Sequence, residues 1–439
     1  MSDGAQTMPL TVSGARQQAS RAARIKRRYR AERRFRLYGV FAILIALGFL
    51  AMLFTSIIGN GWTAFLQTSV KLTINFDEAV IDPSGKRDDM QLRTANYQKL
   101  ARDALLARLG VSPEDRAART RAFALLSRGA AIQLRDMVLD EPGLIGKSKE
   151  VWLLASDNTD ALMKGSIKRE TPEDHRQLSD QQVGWIDQLH NAGALDLRFN
   201  EGLFVFGASS QPETSGVGVA IIGSFFMMLI VVILAVPLGV AAAVYLEEFA
   251  PKNYWTDIVE VNINNLAAVP SIVFGLLGLS VFINFFGMPR SASLVGGLVL
   301  TLMTLPTIII ATRAAIRAVP PSIREAAYGI GASKMQTVFQ HVVPLAMPGI
   351  MTGTIIGLVQ ALGETAPLIM IGLVAFVADY PTTPMEPATA LPVQIYMWAT
   401  AAERGFIERT AGATIILLGF LVIMNATAVI LRKRFEKKW

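Results

Sequence analysis

The sequence contains no cysteine. That excludes disulfides, thiolate metal sites and cysteine nucleophiles together. Histidine is nearly absent, at 3 residues, so the usual neutral ligand of metal clusters is missing and no metal site is expected. Charge is scarce too: Asp, Glu, Lys and Arg make up 18% of the 439 residues, against about a quarter in ordinary globular domains. What is abundant is apolar. Hydrophobic residues reach 52% and mean hydropathy is +0.39, a balance that points to a membrane.

The net charge of +7, with a pI near 9.6, is concentrated at the two ends. "SRAARIKRRYRAERRFR" (Ser20 to Arg36) directly precedes "LYGVFAILIALGFLAMLFTSII" (Leu37 to Ile58), and the chain closes on "LRKRFEKKW". Lys and Arg beside an apolar run anchor it on the cytoplasmic side, because they resist translocation and pair with anionic lipid heads. Both clusters abut apolar runs, which favours anchoring over a nucleic-acid-binding arm. The first run is about twice the length of a signal-peptide core and lacks a small-residue cleavage site, so it reads as an uncleaved anchor.

A helix needs about 20 apolar residues to cross the hydrocarbon core. Six segments qualify: 37–58, 217–246, 262–287, 294–316, 346–376 and 410–431. With the N-terminus inside, 247–261 and 317–345 lie in the cytoplasm, and the basic tail also falls inside, as an even number of spans requires. The expected fold is an all-α polytopic membrane protein of six transmembrane helices with an α+β extracytoplasmic domain inserted after the first span. Its parts are a basic cytoplasmic N-terminus (1–36), the first span (37–58), the insert (59–212), a membrane core (213–431) and a basic cytoplasmic tail (432–439).

The insert is rich in charge of both signs. "SVKLTINFDEAVIDP" alternates at Val70, Leu72, Ile74 and Phe76, a strand pattern that Asp-Pro ends. "YQKLARDALLARLG" and "PEDRAARTRAFALLSRGAAIQLRDMVL" read as helices, and "KEVWLLAS" and "LDLRFNEGLFVFG" as further strands. The balance of acids and bases suits a packing or docking module. "EPGLIGKSK" ends like a Walker A loop at Gly146, Lys147 and Ser148, but Glu141 stands where that motif needs glycine, so an ordinary turn is expected. No other stretch supplies a P-loop, and any ATP chemistry must belong to a partner.

Between the fourth and fifth apolar runs lies "VPPSIREAAYGIGASKMQTVFQHVVP" (Val319 to Pro344). Ser322 and Glu325 have capping-box spacing, as do Ser333 and Gln336. Two short helices with a glycine bend at Gly329 and Gly331 are predicted, the second stopping near Pro344. This is more structure than a connector needs, and a rigid knob held between two spans makes a lever. A DNA-reading helix-turn-helix is disfavoured, because both ends are tethered to the membrane.

"EAAYGIG", followed after a gap by "HVVP", resembles the EAA loop of ABC importer permeases. Glu325, Ala326, Ala327, Gly331 and Pro344 match that pattern, while His341 and Val343 replace its usual Ile and Leu. The resemblance implies a coupling loop (320–345) that docks on an ATPase subunit, within a type I importer permease core. "AAVPSIVFGLLGL", "LPTIIIATRAAIRAVPPSIREAAYGIGASK", "ALGETAPLI", "ALPVQIYMWA" and "PLGVAAAVYLEEF" are similar to phosphate-transport permeases of the PstA type, over most of 215–431. The insert departs from the shorter members of that family.

Glu364 is unusual on physical grounds alone. It is predicted about 21 Å into the fifth span, counted from Ile350 at 1.5 Å per residue. A charge at such depth costs on the order of 2.5–3.5 kcal/mol, so it requires a partner or water. Pro367 lacks the N–H that would bond the Gly363 carbonyl, so a kink is expected beside the carboxylate. Glu364, Thr365 and the freed carbonyl make a polar gate, with a counter-ion in Arg313 or in a partner subunit. Phosphate is anionic, so a charged Glu364 gates or pairs rather than ligating it. Arg313, near the inner end of the fourth span, is placed to snorkel. Gly216, Gly218, Gly223 and Ser224 read as close helix packing.

The resemblance therefore implies a transporter subunit and not an enzyme, in a bacterial inner membrane with both termini cytoplasmic. No cofactor is expected on this chain, ATP and Mg being bound by a PstB-like ATPase pair. A PstC-like second permease, a PstS-like extracytoplasmic phosphate-binding protein and membrane lipids complete the expected partners, without nucleic acid. A sulfate or molybdate importer is the near alternative. An ion-gradient transporter would call for inverted repeats and more intramembrane charge, and a membrane sensor for an intracellular output domain.

Overall fold

A computed structural model describes residues 12–374 and 376–435. The first part of the predicted N-terminal segment 1–36 and the last part of the predicted tail 432–439 lie outside the described residues. The chain divides into two units, 1–59 and 60–439. The first is formed by helix α1 (Val12–Gly61), which carries the basic stretch and the first apolar run without a break.

A short 3-10 turn at Trp62–Phe65 leads into strand β1 (Leu66–Asn75). Val70, Leu72 and Ile74 of β1 are buried, as their alternation predicts. Small helices α2 (Glu78–Ile81) and α3 (Asp89–Thr94) precede α4 (Tyr97–Leu109), α5 (Arg116–Phe123) and α6 (Gly129–Asp140). The single helix expected from Pro113 to Leu139 is thus two. Its middle is held by other parts of the fold: Ser127 N donates to Leu154 O, and Leu126 bridges Ala155. Gly146 takes φ +82 in the turn before strand β2 (Ser148–Leu154). Then come α7 (Asp157–Met163), α8 (Asp180–Asn191), strand β3 (Leu195–Phe199) and α9 (Gly202–Val205). The second half of "LDLRFNEGLFVFG" is therefore helical, after the strand pairing ends at Phe199. The sheet is antiparallel in the order β2-β1-β3, and its buried face shares one core with α4, α6 and α8.

The rest of the described chain is mostly helical, with long apolar helices joined by short ones. They are α10 (Gly218–Val244), which a π-helical turn extends to Phe249, α11 (Tyr254–Ala267), α12 (Ser271–Gly278) and α13 (Ser293–Arg317). After them come α14 (Pro321–Gly329), α15 (Lys334–Gln336), α16 (Val343–Gly363), α17 (Ala366–Met370), α18 (Leu391–Ala399) and α19 (Gly405–Phe435). Among the described residues, five helices are long and apolar enough to cross a membrane, or six if the bent pair α11 and α12 is one crossing. The bend in that pair is 102°. It replaces the straight span expected at 262–287. Pro270 caps α12, and a residue before proline is disfavoured in the helix, so α11 must end first.

The α13–α16 contact shows why glycine is needed. An added Cβ would meet Ala315 at 2.6 Å from Gly349, collide with Ala311 from Gly353 and meet Thr304 at 2.9 Å from Gly357. Small residues every fourth position let the two backbones approach, which is how helices associate where hydrophobic burial gives no advantage. The same holds at the start of α10, where Gly223 lies against the Thr389 carbonyl and Leu391 N donates to Ser224 Oγ at 2.9 Å.

Candidate functional site

Helix α14 begins at Pro321 with Pro320 in the capping position. Proline there sacrifices no hydrogen bond and pre-sets φ. Ser322 therefore falls inside the helix, exposed, and makes no capping bond. The predicted box from Ser322 to Glu325 is absent, because the two prolines start the helix two residues earlier. The second box is present: Gln336 N donates to Ser333 Oγ at 3.3 Å, and Ser333 N to Gln336 Oε1 at 2.9 Å. Gly331 joins the two pieces at φ +87, a left-handed geometry that only glycine takes cheaply.

The second piece does not stop at Pro344. It passes through a π-helical turn at Thr337–Val342 into α16. Pro344 has no N–H for the Gln340 carbonyl, and the wider turn just before it makes room for the ring. The loop is thus one short helix and the first turns of a 30-residue helix running from Lys334 to Gly363. Val338, Val342 and Ala346 bury against Val244, Ile316 and Val319.

Ala326, Ala327 and Pro344 line one cleft of about 640 Å³, together with Ile323, His341 and Leu345. Glu325 does not line it and is exposed. Ile330 is 83% exposed, beside Tyr328 at 46%. Ile330 follows the last residue of α14 and also lines the cleft, so the apolar exposure there is continuous with it.

Behind that surface lies an ion network outside the EAA pattern. Arg324 donates to Glu248 Oε1 at 3.1 and 2.6 Å and to the carbonyls of Val319 at 2.8 Å and Ile316 at 3.1 Å. It thereby staples α14 to the ends of α10 and α13. Arg313 pairs with Glu247 at 2.6 Å and Glu260 at 2.5 Å, and Arg317 with Glu247 at 2.8 Å. Arg313 is buried, not snorkelling, its side chain 8% exposed. The acidic "YLEEF" at the end of an apolar run, and arginines at 313 and 317 on one helical face, were the available signals.

Glu364 occupies a corner. Helix α16 ends at Gly363, and Glu364 is extended at φ −75, ψ 130. The expected kink is a true helix end, since the Pro367 ring excludes a continuing helix at the Gly363 carbonyl. Pro367 is buried where α17 packs on α12, and a Cβ on Gly275 would lie 2.8 Å from its Cα. Glu364 is half-buried, and among the described residues its carboxylate has no hydrogen-bond or ion-pair partner. Arg313 does not fill that role. The contacts of Gly349 with Ala315 and Gly353 with Ala311 place Arg313 level with residue 351 on the antiparallel α16. Glu364 is about 20 Å further along the axis. The structure brings Glu364, Thr365 and Pro367 together and leaves Arg313 in the network near α14.

Residues 235–439 match the family described as binding-protein-dependent transport system inner membrane component, and 22–173 match a domain of unknown function, DUF3333. The chain is 32% identical to the probable ABC transporter permease protein YqgI of Bacillus subtilis, over 53% of this chain and 82% of that protein. It is 33% identical to the phosphate transport system permease protein PstA 1 of Mycobacterium tuberculosis, over 52% of this chain and 73% of that one. It is 30% identical to the phosphate transport system permease protein PstC of Haemophilus influenzae, over 51% and 76%.

Proposed function

The chain belongs to the PstA-type permeases of ABC transporters, and on that premise we propose that it is the membrane subunit through which an ATP-driven importer moves phosphate inward. The observation that carries the coupling role is the exposed pair Tyr328 and Ile330 at the end of α14, a helix held from behind by Arg324. A PstB-like ATPase pair, binding ATP and Mg, grips this surface around Glu325. A PstC-like permease completes the pathway, and a PstS-like protein delivers phosphate from outside. In this reading the chain lies in the inner membrane with both termini cytoplasmic, α11 and α12 making one broken crossing. Residues 59–212 then face outward.

The geometry supports a lever. The helix that starts at Lys334 in the loop ends at Gly363, beside Glu364. Its 30 residues span about 45 Å. Closure of the ATPases pushes α14; the staple carries the push to α10 and α13, and the π turn carries it to α16. The far end of α16 then moves the Glu364–Thr365–Pro367 corner. With Arg313 committed elsewhere, Glu364 is stabilised by a counter-ion from the second permease or by hydration.

The test is uptake of labelled phosphate and sulfate by cells lacking the gene, rescued with the native chain or with Glu325→Arg. Phosphate uptake restored by the native chain alone, with sulfate unaffected, is the expected result. Loss of sulfate uptake instead overturns the cargo. Full rescue by the variant at native expression overturns the coupling role of the loop.

A further inference from the structure

At the end of α10 remote from the coupling loop, the α+β segment meets the first turn of α19 through a buried cluster of charge. Lys164 Nζ lies 2.7 Å from Asp160 and 2.8 Å from Glu408, with its side chain 3% exposed. Asp160 also accepts from the Thr68 amide and hydroxyl at 2.8 and 2.7 Å. Glu213, in the turn before α10, accepts from Ser127 Oγ at 2.8 Å. Arg409 is buried and donates to Gln67 Oε1, while its Nη1 has no partner among the described residues.

Asp157 completes the group. Its carboxylate packs against the start of α19 so closely that a Cβ on Gly405 would collide with Oδ1. Among the described residues it has no hydrogen-bond or ion-pair partner of its own. Facing it are Asp160 and Lys164 of its own element, Glu213 of the turn at 212–214, and Glu408 and Arg409 of α19. Four carboxylates thus share two cations, and Lys164 is already held by Asp160 and Glu408. Burial, then Glu213 and Asp160, then Glu408, push the Asp157 carboxyl from 3.8 up to about 6, against the pull of Arg409. The positive end of α19 also favours the ionised form, but it cannot supply the hydrogen bond the carboxylate lacks.

We propose that Asp157 is a proton-operated latch: taking up a proton tightens the docking of the α+β segment on α19, and losing it loosens that junction. The sign follows from linkage. A carboxyl whose pKa is higher in the docked state binds more protons there, so docking strengthens as pH falls through about 6 and levels off near 3.8. Between pH 7 and 5 these two values give about a tenfold change in the docking equilibrium. That the protons come from outside the cell rests on the proposed topology; the latch itself does not.

Because the chain has no cysteine, Ser215→Cys places a unique thiol in the junction. Ser215 is fully buried just after the turn that packs on α19, and its hydroxyl bonds to nothing among the described residues. Maleimide labelling of the full chain in lipid nanodiscs, corrected for the rate of a free thiol at each pH, reads the opening of the junction. Labelling should slow about tenfold from pH 7 to 5. With Asp157→Asn added, it should be slow and flat across that range. Hydrogen exchange of the Phe406–Thr410 amides in the chain without the thiol reads the same equilibrium. A flat native profile overturns the latch, and so does an unchanged slope or faster labelling at pH 7 with Asp157→Asn. Phosphate uptake takes no part in this readout, so the latch and the transport reading fail separately.

Discussion

The staple between Arg324 and Glu248 can be tested quantitatively. Arg324→Met removes two contacts to the carboxylate and two to backbone carbonyls. It also strands Glu248, whose side chain is 8% exposed. Breaking a buried pair from one side costs about 3–5 kcal/mol. Arg324 is 22% exposed, so the cost belongs at the lower end, about 3 kcal/mol. At about 1.4 kcal/mol per factor of ten, that is a hundredfold loss of hydrogen-exchange protection in the Ala326–Ile330 amides of α14. Pairing it with Glu248→Met removes the stranded charge and should recover at least about tenfold, since an apolar replacement of a whole buried pair is often near neutral. The reasoning is refuted if Arg324→Met lowers protection by less than about threefold, or if the double variant is as open as the single one.

The two serines of the loop should behave differently in the same exchange measurement. Ser333→Ala removes a formed capping box and should cost about 1 kcal/mol, whereas Ser322→Ala, at an exposed position with no capping bond, should stay within about 0.5 kcal/mol. Equal effects would restore the box that the prolines exclude. Gly353→Val drives a side chain into Ala311 and should destabilise the α13–α16 contact by about 1–3 kcal/mol. Thermal unfolding of the purified chain checks this, and an unchanged midpoint would show that the backbones need no such closeness.

Hydropathy located α10 and α13 to within a residue or two of 217–246 and 294–316, because those helices are apolar throughout and end at polar turns. It misjudged 262–287 and 346–376 for one reason. A window average does not register a single proline, and Pro270 and Pro367 each end a helix inside an apolar stretch. Capping spacing identified Ser333 correctly and Ser322 wrongly, since the same four-residue pattern counts for nothing once an upstream Pro-Pro has already set the start. The EAA residues were legible as a motif, but the network that fixes them was not. Glu247 pairs with Arg313 across 66 positions and Glu248 with Arg324 across 76, and no local pattern links such partners.

The charge at the two ends of the helical bundle differs in kind, and the difference suits two tasks. Near α14, among the described residues, Arg313, Arg317 and Arg324 meet Glu247, Glu248 and Glu260, and every member is paired. Arg313, Arg317, Glu247 and Glu260 are linked to one another, while Arg324 and Glu248 form a separate pair that also holds the Ile316 and Val319 carbonyls; neither group has a surplus of either sign, which suits the lever proposed above. Where the α+β segment meets α19, Asp157 has no direct hydrogen-bond or ion-pair partner and Arg409 Nη1 no hydrogen-bond partner among the described residues. A partly buried carboxylate without a direct partner is disfavoured in its charged form and not in its neutral one, so the two proposals assign protons to this end and force to the other. Both clusters touch α10 or the turn that precedes it, and α10 packs along α13 for much of its length. On the two proposals together, α10 is the element that would link the latch at one end to the staple at the other.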